Sequence, residues 1–201
     1  MNKLKQVSKI KELFAKGENI IQYLKSNSSS EKNSIEDILI SYDFQSGAYV
    51  KDLAKNTKFK SDYCDLLAKE INQLGDFKSI IEIGVGEATT IGVLLKKLNK
   101  RPEDKMGLDI SWSRLKFAKD FLNEINESEV ELLVANLFEI PYADNSIEVV
   151  YTSHSIEPNG GREKEALEEL YRVSSKYVVL LEPAFELAND EARKRMQHHG
   201  Y

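Results

Sequence analysis

Residues 80–90 read IIEIGVGEATT. Ile80 to Ile83 have the composition of a buried strand, and the chain then runs straight into Gly84 and Gly86, followed by Glu87 and two threonines. A Gly-x-Gly at a strand end lets the chain turn tightly and lets backbone N–H groups face a ligand that a Cβ would obstruct. Tight strand-to-helix turns also use glycine for shape alone, so the neighbouring residues must decide. A dinucleotide fingerprint places a third glycine where Thr89 stands, so that the helix packs close and its N-terminus takes the pyrophosphate. Here Glu87 opens the helix and Glu82 lies at the strand end, and carboxylates at both places repel a diphosphate held there. The expected ligand is cationic or zwitterionic at that spot.

Downstream of residue 79 the texture repeats. SIIEI, KMGLDI, VELLVA, SIEVVYT and YVVLLE are short runs rich in Val, Ile and Leu, too continuous for a half-exposed sheet. Helical patterns lie between them at 87–99, 111–126 and 161–173, and a last one at 185–197 follows. This alternation predicts a parallel sheet with helices on both faces, joined by right-handed crossovers. Ligands of such sheets bind beyond the carboxyl ends of the strands, near the point where strand order reverses. Chemistry is therefore expected at 82–89, 109–112, 135–138 and 151–158.

Asp109 closes the second strand, 23 residues after Gly86, where a nucleoside-binding sheet puts a carboxylate for the ribose hydroxyls. The alternative is that Asp109 caps the next helix, a task Ser111 can perform alone.

Upstream, Leu4, Val7, Ile10, Leu13, Phe14, Ile20, Ile21 and Leu24 recur at helical spacing, with Gly17 a break between two helices. This stripe is expected to pack on the rest of the protein. SNSSSEKNS (26–34) reads as a polar link ending in a helix cap at Ser34, with Asp37 three residues on. Residues 35–75 read as helices separated by the aromatic segment SYDFQSGAY, and Gly75 ends the last.

The bounds agree with one domain and an appendage: 201 residues, 41% of them hydrophobic. Net charge is -5. Residues 1–78 carry 13 Lys/Arg against 11 Asp/Glu and residues 79–201 carry 15 against 22, so the second part is about -7. That disfavours phosphate backbones, and no nucleic acid partner is expected. The single Cys64 makes no internal disulfide, and no Cys/His cluster has metal-ligand spacing, which points to a reducing cytoplasm and no metal. The lysine-rich N-terminus lacks a signal-peptide apolar centre, and no run is long enough to span a bilayer.

IIEIGVGEATT, GLDIS, ANLFEIPYADNSIEVVYTSHSIEP and ALEELYRVSSKYVVLLEP, taken in order over about residues 79–183, resemble the class I S-adenosylmethionine-dependent methyltransferases, in particular their small-molecule, type 11-like branch. The resemblance implies an α/β, Rossmann-like, doubly wound and mostly parallel sheet over 79–201, preceded by an N-terminal helical cap over 1–78. It implies S-adenosylmethionine as cofactor. Glu82, Gly84 and Gly86 would shape the pocket for the methionine end, Thr89 would join the cofactor site from the same turn, Asp109 would hold the ribose and Ile110 would pack on the adenine. Asn136 stands where the family usually has an aspartate; its amide oxygen can still accept from the adenine amino group, with the Leu137 N–H serving a ring nitrogen. His154 falls beside the methyl group, as a packing residue or as the base that takes an acceptor proton. Glu157 would bind the acceptor or buttress the loop that Pro158 and Gly160 shape. Tyr42, Gln45 and Tyr49 fall in a stretch similar to one that folds over the cofactor.

Methyl transfer from a sulfonium asks mainly for positioning, which can supply on the order of 7 to 11 kcal/mol, so no catalytic triad is needed. One departure is plain: the family's sheet finishes with an antiparallel pair, and only a helix's length follows VVLLEP here. The final strands are expected to be absent, whether the chain is cut or is a minimal five-strand variant. Sugar or other small-metabolite O-methylation is the expected activity. A nicotinamide-dependent oxidoreductase and a non-catalytic nucleoside-binding subunit share the same sheet and carboxylate, and stay open at this point.

Overall fold

The computed structural model describes residues 6–27 and 33–199. Leu4 and most of the 26–34 link lie outside them.

The second part is a five-stranded sheet, every pair parallel: β1 (Ser79–Ile83), β2 (Asp104–Asp109), β3 (Glu131–Val134), β4 (Ile147–Ser153) and β5 (Ser174–Leu181). The spatial order is β3-β2-β1-β4-β5. Strand order therefore reverses at β1, between β2 and β4, which opens a crevice at the carboxyl ends of those three strands. Each strand matches its predicted run to within a few residues.

The helices are α1 (Val7–Ala15), α2 (Ile20–Ser26), α3 (Ile35–Phe44), α4 (Ala48–Lys55), α5 (Thr57–Asn72), α6 (Thr89–Leu94), α7 (Trp112–Glu124), α8 (Glu163–Val173) and α9 (Asp190–His199). Alternation along β1 divides the core. Ile80 faces a cluster with Leu67 and Ile71 of α5, Ile91 and Leu94 of α6 and Leu122 of α7. Ile81 and Ile83 face the opposite cluster, with Leu170 and Val173 of α8. β1 is buried throughout, as a strand covered on both faces must be. The edge strands are not: Val134 of β3 and Tyr177 and Leu180 of β5 are exposed, against the expectation of uniformly buried runs.

The N-terminal helices make a smaller core of Ile10, Ile20 and Leu24, with Leu13 and Phe44 packed on it. Gly17 takes φ +72 between α1 and α2. Ser34 caps α3 reciprocally: its hydroxyl accepts from Asp37 N and donates to the Asp37 carboxylate.

Three boundaries differ from the sequence reading. The aromatic segment separates two helices over fewer residues than its length: α3 runs through Tyr42 and Phe44, and the break falls within it at Gln45–Gly47, where Gly47 takes φ +85. The helix expected over 87–99 holds only from Thr89 to Leu94. The last helix starts late because Asn189 caps it, its side-chain oxygen accepting from Ala192 N at 2.8 Å; a short 3-10 turn occupies Phe185–Leu187 instead.

Gly84 shows how tightly β1 meets its neighbour. Its φ is +75, and a Cβ there would lie 2.2 Å from Ser155 Cβ. Left-handed backbone and steric overlap each cost about 1 to 3 kcal/mol. Gly84→Ala should therefore lower stability by about 2 kcal/mol or more, read as a fall in the urea midpoint.

Candidate functional site

The turn after β1 is built by carboxylates that accept backbone N–H groups. Gly84 N and Val85 N both donate to Leu108 O, at 2.8 and 2.9 Å, so the turn is pinned to the end of β2. Asp109 then accepts from Gly86 N at 2.8 Å through one oxygen and from Ser111 N at 2.8 Å through the other. Glu82, buried beneath the turn, accepts from Ile91 N at 2.9 Å and from the Tyr151 hydroxyl at 2.8 Å. Glu87 accepts from Gly47 N at 2.9 Å and Val50 N at 2.7 Å, across the break between α3 and α4. Glu182, just past β5, accepts from Ser155 N at 3.0 Å and Ile156 N at 3.3 Å and so holds the loop after β4.

This corrects one expectation. Glu82 and Glu87 do not face a ligand; both are buried and turned into the protein, because the orphan N–H groups at the starts of α6 and α4 need acceptors. Thr89 is likewise buried in the first turn of α6, away from the cavity.

The crevice at the switch point holds a cavity of about 110 Å³. Gly84, Asp109, Ile110, Asn136, Leu137 and His154 line it from the ends of β1 to β4, and Tyr42 and Tyr49 close it from α3 and α4. The chain thus brings together eight of the expected residues. Gly86 is not in its lining; it lies under the Arg114 guanidinium. Asn136 Oδ1 already accepts from Phe138 N at 3.1 Å, which shapes the loop after β3 and leaves one lone pair for a ligand. Gln45 and Glu157 instead line an adjoining hollow of about 450 Å³, beside Glu18, Asn33 and Ser41; Tyr42, Tyr49 and Pro158 form the wall between the two.

His154 sits at the mouth in left-handed backbone, φ +56. Its Nδ1 lies 3.1 Å from Glu157 Oε2, and its ring stacks on Tyr63 with centroids 6.2 Å apart. The Tyr63 hydroxyl in turn pairs with Ser153 Oγ at 2.7 Å. A carboxylate only accepts, so Nδ1 carries the hydrogen and Nε2 keeps the lone pair in the neutral ring. The Glu157 bond holds the His154 pKa above its ordinary value near 6.5, against the opposing effect of burial.

Arg114 is the residue the sequence reading missed. It lies in the first turn of α7, buried, with its guanidinium 4.9 Å from the Tyr42 ring centre and 4.6 Å from that of Tyr49. Such contacts contribute about 0.5 to 2 kcal/mol each. The signal was present: Arg114, Leu115, Ala118, Phe121 and Leu122 share one helical face, and four of the five are apolar.

Residues 81–180 match the family model for a methyltransferase domain. The chain belongs to the class I S-adenosylmethionine-dependent methyltransferases. No curated protein sequence matches it. Among solved structures it is similar to a protein of Methanococcus maripaludis assigned as an S-adenosyl-L-methionine-dependent methyltransferase, at 19% identity and TM-score 0.54 over 73% of this chain and 67% of that one. It is also similar to a protein assigned as a methyltransferase, in complex with the Haloferax volcanii methyltransferase activator Trm112, at 15% identity and TM-score 0.52 over 66% and 55%. A third is the trans-methyltransferase CalH in complex with S-adenosylhomocysteine, at 19% identity and TM-score 0.50 over 65% and 41%. The chain thus spans between about two fifths and two thirds of the length of these proteins.

The buried Glu82 also sets a pH dependence. Desolvation raises its pKa to about 7, against the opposing hydrogen bond from Tyr151. A raised folded-state value means that the contribution to stability is complete below the ordinary carboxyl pKa near 4.5 and is lost as pH rises through about 7. Glu82→Gln keeps an oxygen for Ile91 N and Tyr151 and removes the titration. Chemical denaturation should show the wild type losing about 1 to 3 kcal/mol more than the variant between pH 5 and pH 8.

Proposed function

We propose that this chain binds S-adenosylmethionine in the switch-point cavity and transfers its methyl group to a small-molecule hydroxyl, of the sugar or polyol class, held in the adjoining hollow. The observation that carries this is the convergence of Gly84, Asp109, Ile110, Asn136, Leu137 and His154 on one cavity at the reversal of strand order. The residues suit the cofactor. Leu108, Ile110 and Leu137 give apolar walls for a purine, and Asp109 retains lone pairs for ribose hydroxyls after accepting from Gly86 and Ser111. Gly84 lies in its wall, and Tyr42 and Tyr49 roof it.

The bound cofactor supplies a methyl group already activated by its sulfonium. The protein orients the acceptor and excludes water. His154 Nε2 takes the acceptor proton while Glu157 holds the ring through Nδ1 and balances the imidazolium that results. Carboxylate and amide groups of Glu18, Asn33, Gln45 and Glu157 around the hollow are the chemistry that binds hydroxyls. A 1–78 cap over a 79–201 catalytic domain, a cytoplasmic setting and the lack of a nucleic acid partner belong to the same proposal, supported by the roofing role of α3 and α4, the lone cysteine and the charge of about -7 after residue 78. No helix among the described residues is long and apolar enough to cross a membrane.

Calorimetry with S-adenosylhomocysteine should give micromolar affinity, about -8 kcal/mol. Asp109→Ala, checked for native circular dichroism, should bind at least tenfold more weakly; equal affinity removes Asp109 from the site. His154 offers a readout that needs no acceptor. Glu157→Gln removes the group that raises its pKa, so the NMR titration midpoint of His154 should move to lower pH. The pH at which methylation reaches half its maximum should move down with it, since the neutral ring is the base.

A further inference from the structure

Arg114 is a buried cation. Among the described residues no carboxylate pairs with it, and its Nε has no hydrogen-bond partner. Burying a charge in that state is unfavourable unless something compensates. Its place makes matters worse, because the N-terminal turn of a helix carries positive partial charge and disfavours a cation. The nearby carboxylates are already engaged: Asp109 accepts from Gly86 and Ser111, and Glu87 from Gly47 and Val50. The side chain is nonetheless held firmly. Two tyrosine rings flank the guanidinium, and its terminal nitrogen lies over Gly86, 2.3 Å from where a Cβ would stand. It lines the cavity beside Gly84 and Asp109.

We propose that Arg114 is the anion-binding residue of this cavity and grips a carboxylate on the bound ligand, with the N-terminus of α7 adding to the attraction. The guanidinium fork is matched to a carboxylate's two oxygens, and Gly86 is bare so that the arginine can lie flat over the turn. Two molecules can bring that group: the cofactor, through its amino-acid tail, or a carboxylate-bearing acceptor. The first source rests on the nucleoside reading above; the second does not.

Calorimetry on the wild type, Arg114→Met and Arg114→Lys, with S-adenosylhomocysteine and with 5′-methylthioadenosine, tests the first. The second nucleoside lacks the carboxylate. Selective loss is the expected result: at least tenfold weaker S-adenosylhomocysteine binding in Arg114→Met, unchanged 5′-methylthioadenosine binding, and partial recovery in Arg114→Lys. Thermal shifts with small hydroxy acids and their carboxylate-free alcohols, with and without nucleoside, test the second source. A shift caused by the acids alone and absent in Arg114→Met assigns the carboxylate to the acceptor. That arm stands even where neither nucleoside binds, an outcome that sinks the nucleoside reading and leaves the anion site to be judged by the hydroxy acids. Equal loss of both nucleosides in Arg114→Met reveals a merely structural arginine and overturns the proposal. So does a variant that matches the wild type in both arms.

Discussion

Asp109 accepting from Gly86 N and Ser111 N is the interaction on which the site depends. One carboxylate joins the turn after β1 to the segment after β2, and hydrogen bonds to a charged acceptor contribute about 1.5 to 3 kcal/mol each when partly buried. With Leu108 O taking Gly84 N and Val85 N, it fixes the turn in the left-handed conformations that Gly84, Gly86 and Ala88 adopt. Remove it, and the turn that carries Gly84 to the cavity wall loses one of the two constraints that hold it.

The same device recurs around the crevice. Glu82, Glu87 and Glu182 each take two donors, at least one of them a backbone N–H at the edge of a helix or loop. Acidic residues that seem in the sequence to tune the charge of a pocket instead set its shape. The charge the cavity does present comes from Asp109, His154 and Arg114.

The sheet was legible because a strand buried on both faces leaves a continuous apolar run, and SIIEI and SIEVVYT are such runs. Asp109 and Asn136 were legible for a related reason: polar residues directly after an apolar run in this fold class stand at the ligand end. Glu87 was not. Its partners Gly47 and Val50 lie 40 and 37 residues upstream, and no local pattern records that α4 folds back over the turn. Nor was the length of α6, because Lys96 to Asn99 continue the helical periodicity beyond the point where the backbone leaves it. Arg114 was visible as a cation on an apolar face, yet only the tyrosines converging from α3 and α4 show why it is tolerated.

Glu87 binds the roof to the floor. The carboxylate belongs to the turn beneath the cavity and its donors to the start of α4 above it, so neither layer loosens by itself. A movement that lifts α4 takes both backbone donors from Glu87, and the cost of leaving buried oxygens unpaired holds the layers together.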